Sequence, residues 1–235
     1  MHNPLITLSL DLGDAKPSIY AFRSAFIQLR EFEKDDWFHN HFRDEGNHRV
    51  HNRYAFVQYK VVNGRYIVLC MADAVREEVM QFFYAMPRSL NLYQKEVPFR
   101  VESCKFEEFP FVMSPTLDFE YKVSNYIALN PEKYLEYKKL ATHHAIAAFL
   151  EERVANHLIA YQKAIHAPYP RPYRLEVKLT DYPKFERMRS NDHEVLAFEL
   201  AFKTNLLLPE YLGIGKDTAK GMGVIRRVEH STAEH

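Results

Sequence analysis

Asn63-Gly64 stands between two runs rich in β-branched and aromatic residues, "YAFVQYKVV" and "RYIVLCMA", and no other feature constrains the fold as much. A two-residue loop with both positions at positive φ matches the right-handed twist of paired strands. The pair therefore predicts a tight antiparallel hairpin. Its flanks extend the pattern. Upstream, "LITLSLDL" alternates as a half-buried strand does. "SIYAFRSAFIQLREFEK" then places Ile19, Phe22, Phe26 and Leu29 at helical spacing behind Ser18, a good N-cap. Downstream, "DAVREEVMQFFYAM" reads as a second helix opened by Asp73, and "VPFRVESCKFEEF" as a strand. The order β-α-β-β-α-β is that of a ferredoxin-like (RRM-like) domain.

Pro110 and Pro115 in "EFPFVMSPTLDF" mark a boundary. The expected domains are residues 1–108, carrying a histidine-rich segment, and 117–235, carrying a glycine-rich loop. In the second half "LDFEYKVSNYIAL" reads as strand, and a long helical run follows Asn130, with Pro131 at the first helical position. That run is long for one globular helix and predicts a bend or break. "RLEVKLTDY", "EVLAFELAFKTNLLL" and "GVIRRVEH" read as further strands. The fold class is thus α+β, with two tandem βαββαβ units of which the second is degenerate, its last helix short or missing.

Lysine plus arginine and aspartate plus glutamate both number 31, so global charge argues neither for nor against a polyanionic partner. Only local clustering can decide. Cys70 and Cys104 form no disulfide framework or metal-type spacing and read as reduced core or near-core thiols. The apolar stretch at the N-terminus is interrupted by Asp11, too short for a signal peptide or a membrane span, which predicts a cytoplasmic protein.

Four of the seven glycines, Gly213, Gly215, Gly221 and Gly223, fall in "LGIGKDTAKGMGVIRR". Clustered glycines beside lysines suit phosphate oxygens, but the nucleotide motifs fail. A Walker loop needs Ser or Thr after Lys216 and meets Asp217. The dinucleotide fingerprint needs a third glycine where Thr218 stands. The segment instead resembles the C-terminal glycine-rich loop of the CRISPR-associated RAMP proteins. Within them it is most similar to the pre-crRNA-processing endoribonucleases, the Cas-six family. It carries two G-x-G pairs around a polar, basic spacer, then a short apolar strand. "FKTNLLLPEYLGIGK", "VSNYIALNPEKYLEY", "FRSAFI" and "FHNH…NRYAFVQYK" add to the likeness. The resemblance implies two tandem ferredoxin-like domains, RNA cleavage without a cofactor, and CRISPR repeat RNA as partner. Other CRISPR effector subunits and a second copy of the chain are further partners it allows, and it implies no membrane. Gly213, Gly215, Gly221 and Gly223, with Lys216, Lys220 and Arg226, would follow an RNA backbone. Arg49 and Arg53 would assist. Lys216, Lys220, Arg226 and Arg227 against Asp217 leave a local excess of positive charge.

Four of the twelve histidines, His39, His41, His48 and His51, lie in "FHNHFRDEGNHRVHNRY". Three readings stand: a polar loop with incidental imidazoles; a His-x-His metal site completed by His48, His51, Asp44 or Glu45; and metal-free RNA cleavage. In the last, the 2′-hydroxyl attacks phosphorus, the 5′-oxygen leaves, and a 2′,3′-cyclic phosphate forms. Imidazole suits this because it exchanges protons near neutral pH. The resemblance implies an active histidine just after the first helix, which favours His39 and His41 equally. It also implies a tyrosine and a lysine partner, with Tyr20 and Lys60 as counterparts. On "YAFVQYKVV" the period-2 rule puts Tyr54, Phe56, Gln58 and Lys60 on one face. A non-catalytic RAMP subunit holding guide RNA is the alternative function, and a His-x-His metal-dependent hydrolase is the third.

Overall fold

The computed structural model describes residues 2–29, 42–44, 47–51, 54–71, 76–165, 174–190 and 193–228. The chain clusters into two compact units. The first holds residues 1–110 with 164–166 and 218–221, and the second holds 111–163, 167–217 and 222–235.

In the first unit β1 (His2–Asp11) is followed by α1 (Ile19–Gln28) and a small hairpin, β2 (Phe42–Asp44) and β3 (Asn47–His51). Then come β4 (Val57–Val62), β5 (Arg65–Met71), α2 (Arg76–Ala85), a hairpin of β6 (Ser89–Leu92) and β7 (Lys95–Pro98), and β8 (Arg100–Pro110). The main sheet has the order β4-β5-β1-β8, all antiparallel. Asn63 and Gly64 turn between β4 and β5 with φ of 52° and 77°, as the dipeptide predicts. Ser18 caps α1 by accepting from the Ala21 amide at 3.2 Å.

Strand alternation builds the core. Ile6, Leu8 and Leu10 of β1, Val57 and Tyr59 of β4, and Tyr66, Val68 and Cys70 of β5 bury one sheet face with Phe22 and Phe26 of α1. Tyr59 stands edge-on to Phe22 and Phe26, with centroids 6.1 and 5.7 Å away. Leu90 and Leu92 of the β6–β7 hairpin complete the cluster. Cys70 is buried as expected, but Cys104 is exposed. The near-core expectation fails for Cys104 because β8, an edge strand of this sheet, shows solvent most of its length.

The second unit contains β9 (Phe119–Tyr126), α3 (Pro131–Tyr137), α4 (His143–Ala164), β10 (Val177–Leu179), β11 (Lys184–Ser190), β12 (His193–Thr204) and β13 (Val224–Arg227). β10 and β11 pair successive stretches of β12, so the sheet order is β10/β11-β12-β9-β13. This repeats the strand order of the first unit, counting β10 and β11 as one interrupted strand. Between β12 and β13, where all residues are described, there is no α-helix; a 3-10 turn, Thr218–Lys220, stands there and belongs with the first unit. The expected break in the long helical run falls between α3 and α4. Asn130 caps α3 through the Lys133 amide at 2.7 Å, and Thr142 Oγ1 accepts from the Ala145 amide at 3.1 Å. Along α4, Leu150, Val154, Leu158 and Tyr161 recur at helical spacing and are buried. Among the described residues no helix is long and apolar enough to cross a membrane.

Candidate functional site

The approach to the glycine-rich segment is held by polar groups of the second unit. Asn205 receives the Glu176 amide at 2.9 Å and donates to the Arg174 carbonyl at 2.8 Å, while the Tyr121 hydroxyl accepts from the Leu208 amide at 2.8 Å. From there the chain runs beside β13: Tyr211 N–H to Ile225 O, Ile225 N–H to Leu212 O and Ile214 N–H to Gly223 O, at 2.8–2.9 Å. Gly213 forms a bridge with Val224.

The close approach of these two strands explains Gly223. Its φ is 63°, and a Cβ there would lie 1.8 Å from the Ile214 carbonyl oxygen. No L side chain fits. Three of the segment's amides are engaged by the protein's own backbone: Lys216 N–H donates to Ile127 O at 3.1 Å, Met222 N–H to Asp217 O at 3.3 Å, and Gly223 N–H to Asn125 O at 3.0 Å. Close packing and positive φ thus account for Gly215, Gly221 and Gly223, while cations of the segment reach solvent. Lys216, Arg226 and Arg227 are exposed and Lys220 is half-buried. Arg226 lies 3.9 Å from Glu210, and the Arg227 guanidinium sits 5.7 Å from the Phe119 ring centre.

Within the first unit, the Thr218–Lys220 turn packs on β4. Gly221 closes it with φ of 86°, and its α-carbon is pressed so near the strand that a Cβ would meet the Ile19 side chain at 2.9 Å and the Tyr59 carbonyl at 3.3 Å. Lys60 ends against the same turn. Its side chain is 0 % exposed, and Nζ donates to the Thr218 carbonyl oxygen at 2.9 Å. Burial lowers its pKa from the usual 10.5 to about 7, because removal from water disfavours the charged form. Gln58, two residues back, is equally buried and donates to the Ala55 carbonyl at 3.0 Å. Tyr20, by contrast, lies on α1 with 41 % exposure.

Of the other residues singled out from sequence, Arg49 lies on β3, and His39, His41 and Arg53 lie outside the described residues. The structure joins Lys60 to the glycine-rich segment, 158 residues away, a contact for which local sequence carries no signal. A second arrangement without a sequence signal is the Tyr126 hydroxyl on His157 Nδ1 at 2.6 Å. Arg153 and Lys216 are near enough to add to the burial that holds His157 at about 4.

Two ferredoxin-like units in tandem are the fold of the CRISPR-associated Cas6 proteins. A crystal structure of Cas6b superposes on 97 % of this chain and 100 % of its own, with a TM-score of 0.75 at 17 % sequence identity. A crystal structure of the CRISPR RNA processing endoribonuclease Cas6b covers 96 % of this chain and 100 % of its own, with a TM-score of 0.66 at 15 % identity. An uncharacterized protein of Methanocaldococcus jannaschii is 32 % identical over 125 residues, which are 53 % of this chain and 81 % of that protein. Residues 2–109 match the Cas6b N-terminal domain and residues 115–228 the Cas6b C-terminal domain. The chain belongs to the Cas6b family of CRISPR-associated endoribonucleases.

Proposed function

We propose that this protein cuts CRISPR repeat RNA, converting pre-crRNA to crRNA, by a metal-independent transesterification. The observation that carries the reading is the match to both Cas6b domains along nearly the whole chain. The exposed cations of the glycine-rich segment support it, because they suit a phosphate backbone.

In the reaction the 2′-oxygen bonds to the adjacent phosphorus as the bond from phosphorus to the 5′-oxygen breaks. The 2′-hydroxyl proton passes to a base, and the leaving 5′-oxygen takes a proton from an acid. Products are a 2′,3′-cyclic phosphate and a 5′-hydroxyl. His39 or His41 serves in this proton transfer, since imidazole can accept or donate near neutral pH. Tyr20, exposed on α1, assists it. Lys216, Lys220 and Arg226 hold the RNA backbone, with Arg49 and Arg53 as further cations.

The test is cleavage of the cognate repeat RNA in EDTA by wild type, His39→Ala and His41→Ala. Wild type should give one discrete cut, and one variant should be slower by at least about a hundredfold. Loss of cutting on chelation would refute metal independence, and equal near-wild-type rates in both variants would refute the histidine assignment. Tight RNA binding without turnover by wild type would instead make the chain a guide-RNA-holding subunit.

A further inference from the structure

Lys60 is wholly buried, and an ammonium withdrawn from water is expensive to keep. An apolar side chain of similar length would fill the space more cheaply. What the lysine adds is hydrogen-bond donors, one of which reaches the Thr218 carbonyl at 2.9 Å.

β4 contacts the turn at two consecutive residues. Val57 and Tyr59 point into the helix-covered core, so Lys60 points to the other face by strand alternation. There its Nζ donates to the start of the turn, at the Thr218 carbonyl. The end of the turn, Gly221, rests on the Tyr59 carbonyl and the Ile19 side chain with no room for a Cβ. The Gly221 amide returns to the Thr218 carbonyl at 3.4 Å, so Lys60 and Gly221 meet on one oxygen. Lys220 lies between these anchors. With its ammonium enclosed, Lys60 reaches a phosphate only if the turn leaves the strand.

We propose that Lys60 is a positioning residue, which pins the Thr218–Gly221 turn to β4 and so holds Lys220, within that turn, in place for RNA. The inference rests on the RNA-cleaving reading above. It assigns Lys60 to holding the loop rather than to the scissile phosphate.

The experiment compares Lys60→Met, which keeps the stem's volume without a donor, with wild type. Affinity is measured on a repeat RNA carrying a 2′-deoxy nucleotide at the cut, and the single-turnover rate is measured on intact repeat RNA at saturating enzyme. Wild type must bind and cut, and its failure would defeat the RNA-cleaving reading rather than this one. Lys60→Met should bind about tenfold more weakly or worse, as loss of a buried hydrogen bond implies. At saturation its rate should stay within about threefold of wild type. A loss of saturating rate of about a hundredfold, the size of a general acid–base group, would make Lys60 catalytic and overturn the inference, as would unchanged binding. Gly221→Ala lifts the same turn from its other end. It should show the same split between affinity and rate, and its effect should be less than additive with Lys60→Met. If Lys60→Met does not fold, Gly221→Ala with wild-type affinity overturns the inference by itself.

Discussion

Tyr126 and His157 meet oxygen to Nδ1 at 2.6 Å, their rings edge to face with centroids 5.6 Å apart. Burial drives the phenol's pKa well above its usual 10, so the hydroxyl stays protonated, and the hydrogen bond joins a neutral phenol to a neutral imidazole. Burial first, then Arg153 and Lys216, lower the imidazole from 6.5 to about 4. The unfolded chain takes up this proton near the ordinary histidine value and the folded chain only at about 4, so unfolding is favoured as pH falls through that window. The urea midpoint should therefore drop between pH 7 and pH 4.5, and His157→Gln should flatten that drop. An equal slope in wild type and variant would contradict the assignment.

Gly223 is the least replaceable glycine of the loop. A methyl group at 1.8 Å from the Ile214 oxygen forces the strands apart, and positive φ adds strain of about 1 kcal/mol. Gly223→Ala should destabilise by about 3 kcal/mol or more in urea, against about 1 kcal/mol for Gly13→Ala, where a Cβ would meet nothing within 4 Å.

Tyr93 and Gln94 turn the β6–β7 hairpin with φ of 53° and 63°, a conformation that suits Asn-Gly. Tyr93 is 72 % exposed, so little packing is lost on replacing it. The double change Tyr93→Asn, Gln94→Gly should stabilise the protein by about 1 kcal/mol, read from the urea midpoint.

The contrast between the two hairpins shows how far the fold was legible. Asn63-Gly64 announced its turn because both residue types tolerate the left-handed region. Tyr93-Gln94 adopts the same geometry without such residues, held by Leu90 and Leu92 in the core, so nothing local marks it. Ser18, Asn130 and Pro131 marked helix starts for the same local reason, and the length of the second helical run foretold its break. β11, "KFERMRS", was not read as a strand because it is exposed along nearly all its length and carries no apolar alternation. Of the site, the cations of the glycine-rich segment were legible as a cluster. Lys60 was legible only as a residue of interest. Its burial and its contact with Thr218 depend on a turn far along the chain.

Lys216 is exposed beside the loop, with its amide on Ile127. Lys216→Ala should weaken binding of unrelated single-stranded RNAs about equally, and should shrink the slope of log affinity against log salt by about 0.7. An unchanged slope would remove Lys216 from the RNA path.

The central claim is transesterification by the chain itself, and the ends of the products test it most directly. Wild-type protein in EDTA should leave a 2′,3′-cyclic phosphate on the upstream fragment of the cognate repeat RNA and a 5′-hydroxyl on the downstream one. A 3′-hydroxyl with a 5′-phosphate, or no product until a divalent ion is restored, would contradict it.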